Sequence, residues 1–357
     1  MTPPCFIIAE AGVNHNGDLG LALELVDVAA SAGADAVKFQ SFKATSVATS
    51  TAPKANYQAS EPESQLEMLK RLELDDDAFR QLAARAHTLG IQFLSTPFDL
   101  ASLRFLTEEL SLKTIKIPSG EITNGPLLLA AARSAERIIL STGMSTLDEV
   151  GTALAVLRLG MTHADTSIPG KNDLLPVSEA NPISIEHAER VTLLHCTTAY
   201  PTPPEDANLH AMQALREAFG TRIGYSDHTL GNHVAVAAVA LGASVIEKHF
   251  TLDRDLPGPD HNASCDPDEL HELVRVIRAT TQSLGSPQKQ ITPSEASNLN
   301  VARKSLVAKQ PIQQGECFSV DNVDAKRPGG GISPIDYWNI LGTPAKRDYG
   351  LDDQLEY

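Results

Sequence analysis

The sequence predicts an α/β fold: a (β/α)8 TIM barrel followed by a small, mostly β domain. Three observations predict it. Apolar strand-like runs alternate with amphipathic helical stretches from Phe6 to about Gln282, the pattern of a parallel sheet wound with helices. Eight such units follow one another without a Gly-rich dinucleotide fingerprint, which favours a closed barrel over a doubly wound open sheet. From about Leu299 to Tyr357 the rhythm changes to short strands and turns, SLVAKQ, IQQGE and RPGGGISP.

Phe6–Val13 reads as the first strand, with a helix through Leu19–Ala32. Ala36–Gln40 is the second strand, and a polar excursion from Ser41 to about Glu73 precedes a helix near Asp75–Thr88. Gln92–Pro97 and Thr114–Pro118 are the third and fourth strands, with helices over Leu100–Glu109 and Pro126–Ser134. The proline of the second helix suits a first turn. Arg137–Thr142 is the fifth strand, and Ser145 or Thr146 caps the helix running to about Leu159. Met161–Arg190 breaks the rhythm and reads as a surface insertion or a lid. Val191–Thr197 is the sixth strand, with a helix at about Leu209–Phe219. Arg222–His228 and Ser244–Thr251 are the seventh and eighth strands, joined by a helical crossover, and a helix near Asp266–Gln282 closes the series. These boundaries give a barrel over 1–284, a linker over 285–298 and a small domain over 299–357. At about sixty residues that domain is marginal alone and should lean on another surface.

The formal charge of −16 argues against nucleic acid or an anionic membrane as a partner, since both need a basic face. No apolar run approaches a membrane span, and the N-terminus lacks a basic segment followed by a long apolar one. Cys5, Cys196, Cys265 and Cys317 are scattered and form no CxxC, so they read as reduced thiols in a cytoplasmic enzyme.

Barrel enzymes place their chemistry at the C-terminal ends of the strands. Those ends carry Glu10, Lys38 with Gln40, Ser95 with Thr96, and Lys116 with Ser119 and Glu121. The later strands add Ser141 with Thr142, Thr197 with Thr198 and Tyr200, Ser226 with His228, and Glu247 with His249. The crossover between parallel strands should bring His228 and His249 side by side, as a site for one divalent metal or as two locally hydrogen-bonded histidines. Lys38 and Lys116 with Ser119, Ser141 and Ser226 form either a phosphate cradle or a set of lysines paired with carboxylates such as Glu10 and Glu121. Glu10 is the leading acid/base candidate, or else a structural partner of Lys38. Glu247 reads as a support for a Lys or His, Cys196 as a small buried side chain, and His15 as a donor that fixes the turn after the first strand.

IIAEAGVNHNG, VKFQ, STPFD, KIPSGE, STGMS, HCTTAYPTP, GYSDHTLG and EKHFTLD together resemble the sialic acid synthases, the phosphoenolpyruvate-dependent nonulosonic acid synthases. RKSLVA, IQQGE and KRPGGGISP resemble that family's antifreeze-like (SAF) domain. The resemblance implies condensation of phosphoenolpyruvate with an N-acetylated sugar aldehyde, with release of phosphate. It implies that His228 and His249 hold manganese, with magnesium or cobalt as alternatives, and that Glu10 is the acid/base residue. Lys38, Thr96, Lys116, Ser119, Ser141 and Ser226 would bind phosphoenolpyruvate, and Gln40, Tyr200 and Asp260 the sugar. It further implies a domain-exchanged homodimer in which Arg327 meets the sugar's N-acyl group in trans. Thr198 stands where many sialic acid synthases carry asparagine, which leaves its contact with either substrate open. N-acetylmannosamine, giving N-acetylneuraminate, is the favoured acceptor. The alternative is 2,4-diacetamido-2,4,6-trideoxymannose, giving N,N'-diacetyllegionaminate. Two rivals from other classes are a metal-dependent sugar isomerase or epimerase on the same barrel, and a carbohydrate- or ice-binding module in the C-terminal segment.

Overall fold

A computed structural model describes residues 4–54, 63–162, 174–178 and 181–357. The chain divides into two compact units, Met1–Gly285 and Ser286–Tyr357.

In the first unit, β1 (Phe6–Gly12), β2 (Ala36–Ser41), β3 (Gln92–Pro97), β4 (Thr114–Ile117), β5 (Arg137–Ser141), β6 (Val191–His195), β7 (Arg222–Asp227) and β8 (Val245–His249) form one sheet. Its order is β3-β2-β1-β8-β7-β6-β5-β4, every registered pair is parallel, and β3 lies alongside β4 at the seam. The result is a barrel-like sheet of eight parallel strands.

Strand alternation decides which residues reach the mouth. Ile7, Val37, Ile115, Leu140, Tyr225 and Ile246 face outward and pack with helix residues such as Leu25, Leu82, Leu128 and Leu154. Ile8, Ala36, Leu94, Ile139, Leu194 and Val245 fill the barrel interior. One pleat further on, the inward positions are Glu10, Lys38, Lys116, Ser141, Ser226, Glu247 and His249. The apolar plug thus ends where the polar layer begins.

The helices are delimited by local chemistry. α1 (Leu19–Ser31) starts where Asp18 accepts from the Leu21 N–H. Between β2 and the long helix of the next unit lie α2 (Ala44–Val47) and α3 (Gln65–Leu72). α4 (Asp76–Leu89) is capped by Asp75 and ends at Gly90, whose φ of 72° is the left-handed stop that glycine adopts without strain. The stretch Leu100–Glu109 is an α-helix only over α5 (Leu100–Arg104) and widens to a π turn at Phe105–Glu109. The wider turn lets consecutive Phe105 and Leu106 both enter the core. α6 (Gly125–Ser134) carries Pro126 in its first turn. α7 (Leu147–Thr162) is capped by Thr146, whose N–H and hydroxyl both donate to the Glu149 carboxylate. Much of the Met161–Arg190 insertion lies outside the described residues, and its last six residues form α8 (Ile185–Arg190). α9 (Ala211–Phe219), α10 (His233–Ala240) and α11 (Pro267–Leu284) complete the layer. Asp266 and Glu269 form a reciprocal cap at the start of α11. Among the described residues no helix is long and apolar enough to cross a membrane.

In the second unit β9 (Ser305–Ala308) pairs antiparallel with β10 (Val323–Lys326). Its core is its own: Leu306, Ile312, Phe318, Val323, Ile332, Ile340, Tyr349 and Leu355. Short helical turns occur at Pro293–Ala296, Leu299–Ala302 and Tyr337–Ile340, where the sequence shows only weak helical periodicity.

Candidate active site

The C-terminal ends of the barrel strands open on a cavity of about 400 Å³. Glu10, Lys38, Gln40, Thr96, Lys116, Ser119, Ser141, Thr198, Tyr200, Ser226, His228, His249 and Asp260 all line it. Of the candidate substrate, metal and catalytic residues, Arg327 alone belongs to the other unit, where its Nε donates to the Ala302 carbonyl.

Two lysines and two glutamates form a buried charge cluster at its floor. Lys38 Nζ lies 2.5 Å from Glu10 Oε2 and 3.6 Å from Glu247 Oε2, and donates to Thr96 Oγ1 at 3.0 Å. Lys116 Nζ lies 3.2 Å from Glu247 Oε1, which also accepts from the Ser226 hydroxyl at 2.8 Å. The two carboxylates are not alike. Burial pushes Glu10 up to about 7, against the pull of Lys38 and with help from the neighbouring charge of Glu247. Burial also disfavours the Glu247 anion, but Lys116 and Lys38 together outweigh it and hold this carboxyl well below the usual range. Burial lowers Lys116 despite Glu247, whereas Glu10 and Glu247 overcome the same effect at Lys38 and raise it. Glu247 is thus the fixed anion of the site and Glu10 the group able to exchange a proton near neutrality.

Beside this cluster stand the two histidines, ring centroids 5.5 Å apart. His228 Nδ1 donates to the Thr197 carbonyl at 2.7 Å, which makes Nε2 the acceptor nitrogen; Nε2 lies 3.3 Å from Ser226 Oγ, whose own proton goes to Glu247, so its lone pair stays available. His249 Nδ1 is buried without a hydrogen-bond partner, and Asp260 Oδ2 is 4.0 Å from it. Burial lowers His228 to about 4 and holds His249 well below its ordinary value, with the neighbouring His228 adding to the effect at His249, so both rings are neutral. Burial raises Asp260 to about 6. Among the described residues no group of three or more His, Cys, Asp and Glu is arranged as a ligand set. Two neutral imidazoles with available lone pairs still fit one divalent ion with positions left for substrate or water. The Tyr200 ring packs on His228 at 4.2 Å and edge-on to His249 at 5.7 Å.

Two glycines make room that sequence reasoning missed. Gly12, with φ of 57°, sits where β1 shifts register, and a Cβ there would stand 3.4 Å from Gln40 Nε2 and His249 Nδ1 and 3.5 Å from Glu10 Oε1. Gly143 donates its N–H to Ser119 Oγ at 2.9 Å, and a Cβ would come within 2.8 Å of that oxygen and 2.5 Å of Thr198 Oγ1. A glycine two residues after a strand-end glutamate or serine was the available signal. Cys196 joins this pocket with Sγ 3.2 Å from Ser119 Oγ, so it lines the cavity. His15 fixes its turn as an acceptor, not a donor, taking the Gly17 N–H on Nδ1 at 3.0 Å. Glu121 accepts from Asn124 at 2.6 Å, away from the lysines. An apolar wall of Phe42, Val47, Met68, Leu69 and Phe98 completes the cavity. These residues come from the excursion and the loop after β3, where no strand-end rule applies; the spacing of Met68 and Leu72 on α3 was the only hint.

The lysine, serine and histidine arrangement can hold an anion beside an electrophile. Residues 25–289 match the NeuB family and residues 303–350 match the SAF domain. The N,N'-diacetyllegionaminic acid synthase of Campylobacter jejuni is 49% identical over 98% of this chain and 98% of its own. The enzyme of the same name from Legionella pneumophila is 46% identical over 95% of this chain and 90% of its own. The crystal structure of the N-acetylneuraminic acid (sialic acid) synthetase of Leptospira borgpetersenii, in complex with citrate, superposes with a TM-score of 0.67 at 35% identity. That match covers 83% of this chain and 90% of the other. Barrel, mouth and C-terminal module thus agree, and the chain belongs to the NeuB family of nonulosonic acid synthases, with a SAF domain at its C-terminal end.

Proposed function

We propose that this enzyme condenses phosphoenolpyruvate with 2,4-diacetamido-2,4,6-trideoxymannose and water to give N,N'-diacetyllegionaminate and phosphate. The observation that carries the acceptor is near full-length identity of 49% and 46% to two synthases named for that product, against 35% to the sialic acid synthetase. It moves the assignment from N-acetylmannosamine, the acceptor favoured by sequence motifs, to the alternative.

The buried groups support the following roles. Lys116, Ser119, Ser141, Ser226 and the Gly143 N–H receive the phosphate of phosphoenolpyruvate, and Lys38 with Thr96 its carboxylate. Gln40, Tyr200 and Asp260 orient the sugar, with Thr198 at the border of the two substrates. His228 and His249 would hold a divalent ion, manganese by expectation, whose chemistry is to polarise the sugar aldehyde as a Lewis acid. Carbon 3 of the enol attacks the aldehyde carbon, and protonated Glu10 gives its proton to the aldehyde oxygen. Positive charge left at carbon 2 is met by water, whose proton returns to Glu10. The tetrahedral centre then collapses to the ketone as phosphate leaves with the remaining hydroxyl proton. Protons balance, and a carboxyl that titrates near 7 serves both transfers.

The test is phosphate release with manganese, phosphoenolpyruvate and each acceptor in turn. The expected kcat/KM for the trideoxy sugar exceeds that for N-acetylmannosamine at least about tenfold, or 1.4 kcal/mol in transition-state binding. The reverse order would overturn the acceptor, and no phosphate with either would overturn the synthase in favour of an isomerase. The proposed assembly is a homodimer acting in the cytoplasm, with Arg327 of one chain reaching the sugar held by the other. Arg327→Ala tests it by raising KM for the sugar and leaving KM for phosphoenolpyruvate in place; an unchanged sugar KM removes that contact.

A further inference from the structure

The outer face of β7 and β8 carries a charge pair that the reaction does not use. Asp227 and Lys248 are direct partners in the ladder, on the face that also presents Tyr225 and Ile246 to the helices. Lys248 Nζ lies 2.7 Å from Asp227 Oδ2 and donates to the Thr229 carbonyl at 2.7 Å. Asp227 Oδ1 accepts from the Thr229 N–H at 3.0 Å and from its hydroxyl at 2.8 Å. All three residues are buried. An ion pair in such a place gives up more solvation than two well-packed apolar side chains, so stability alone does not account for it.

What the pair fixes is position. Asp227 and Thr229 bracket His228, and Lys248 immediately precedes His249. One ammonium group on the strand of one histidine therefore grips the chain on both sides of the other. The inner face repeats the tie one position earlier, where Ser226 donates to Glu247, its own ladder partner. The Thr197 carbonyl turns the His228 ring, and the Asp227–Lys248 clamp ties the backbone on both sides of it to β8.

We infer that Asp227 and Lys248 are positioning residues that set the separation of the His228 and His249 rings. The inference rests on the reading of those two histidines as ligands of one divalent ion. Loosening the clamp lets the strand ends drift apart and weakens the ion's hold while the phosphoenolpyruvate cradle stays in place. Supporting groups of this kind typically change metal affinity roughly 10- to 100-fold.

The experiment titrates Mn2+ into the full chain stripped of metal, following free Mn2+ by electron paramagnetic resonance, with circular dichroism to verify folding. The variants are Lys248→Met, Asp227→Asn, and the double change Asp227→Leu with Lys248→Met, which leaves no charge buried alone and keeps the fold where a single change loses it. The expected result is a folded double variant with Mn2+ affinity down about tenfold or more. The metal concentration for half-maximal turnover should rise by the same factor, with KM for phosphoenolpyruvate within about twofold of wild type. A folded double variant that binds Mn2+ as wild type does would overturn the inference alone. Wild-type protein that binds Mn2+ no better than His228→Ala would overturn the metal reading, and the inference with it.

Discussion

β7 and β8 show two faces of the same pair of strands, charged on both and used in opposite ways. On the outer face Asp227 and Lys248 satisfy each other and the Thr229 backbone. On the inner face Glu247 Oε2 and His249 Nδ1 are buried without hydrogen-bond partners, and the groups this face meets in the mouth, Glu10 of β1 and Lys116 of β4, are both shifted by burial. Equal burial therefore gives a rigid joint on one side and reactive groups on the other. The difference lies in how completely each charge is matched.

The largest expected effect breaks the inner face at its proton. Glu10→Gln keeps the shape but removes the exchangeable proton, and kcat should fall about 10^2- to 10^4-fold in steady-state phosphate release. A loss under about tenfold would move the acid/base role elsewhere. The next effect is on binding. Lys116→Met removes a buried cation whose charge-assisted hydrogen bond is worth about 1.5–3 kcal/mol, so KM for phosphoenolpyruvate should rise roughly 10- to 100-fold. An unchanged KM would make Lys116 a partner of Glu247 only.

The last effect is on acid stability, leaves turnover at neutral pH unchanged, and concerns His15, buried just beyond β1. Burial lowers it to about 4 from an ordinary value of 6.5. Because the folded state holds this ring neutral, its contribution is fully present above 6.5 and is lost as pH falls from there through 4. The whole swing is on the order of 3 kcal/mol, a few degrees in Tm for a chain of this size. His15→Gln should therefore show a shallower fall of Tm between pH 6.5 and 4.5 than wild type. Parallel slopes would assign the acid loss to other groups, such as His228.

Much of this site was legible because a barrel converts sequence position into place. Glu10, Lys38 and Lys116 sit near strand ends between apolar neighbours, Ser226 and His249 hold the matching places on β7 and β8, and period-two reading points them at the mouth. The partners they choose were less legible. That Lys116 would meet Glu247, and not Glu121 close by in the chain, depends on where β4 and β8 stand around the ring. The Asp227–Lys248 rung needed the register of β7 on β8, which no local pattern carries. Gly12 and Gly143 were harder to read for another reason: their function is a missing methyl, and the only mark they leave is their place two residues after Glu10 and Ser141. The apolar wall came from the excursion before α4, where neither strand nor helix period was continuous.

The contact of Lys38 with Glu10 has a consequence for how the enzyme meets its substrate. Without substrate the cationic groups already have counterions of their own, so under the proposed roles binding would be ion exchange and not simple addition. The incoming anion would take over Lys38, and Glu10, deprived of its cation and facing another negative charge, would draw a proton from solvent. Near pH 7, where this carboxyl is about half protonated, the uptake should register as a heat of binding that changes with the ionisation enthalpy of the buffer. The enzyme would then load its acid catalyst in the act of binding the molecule on which it is used.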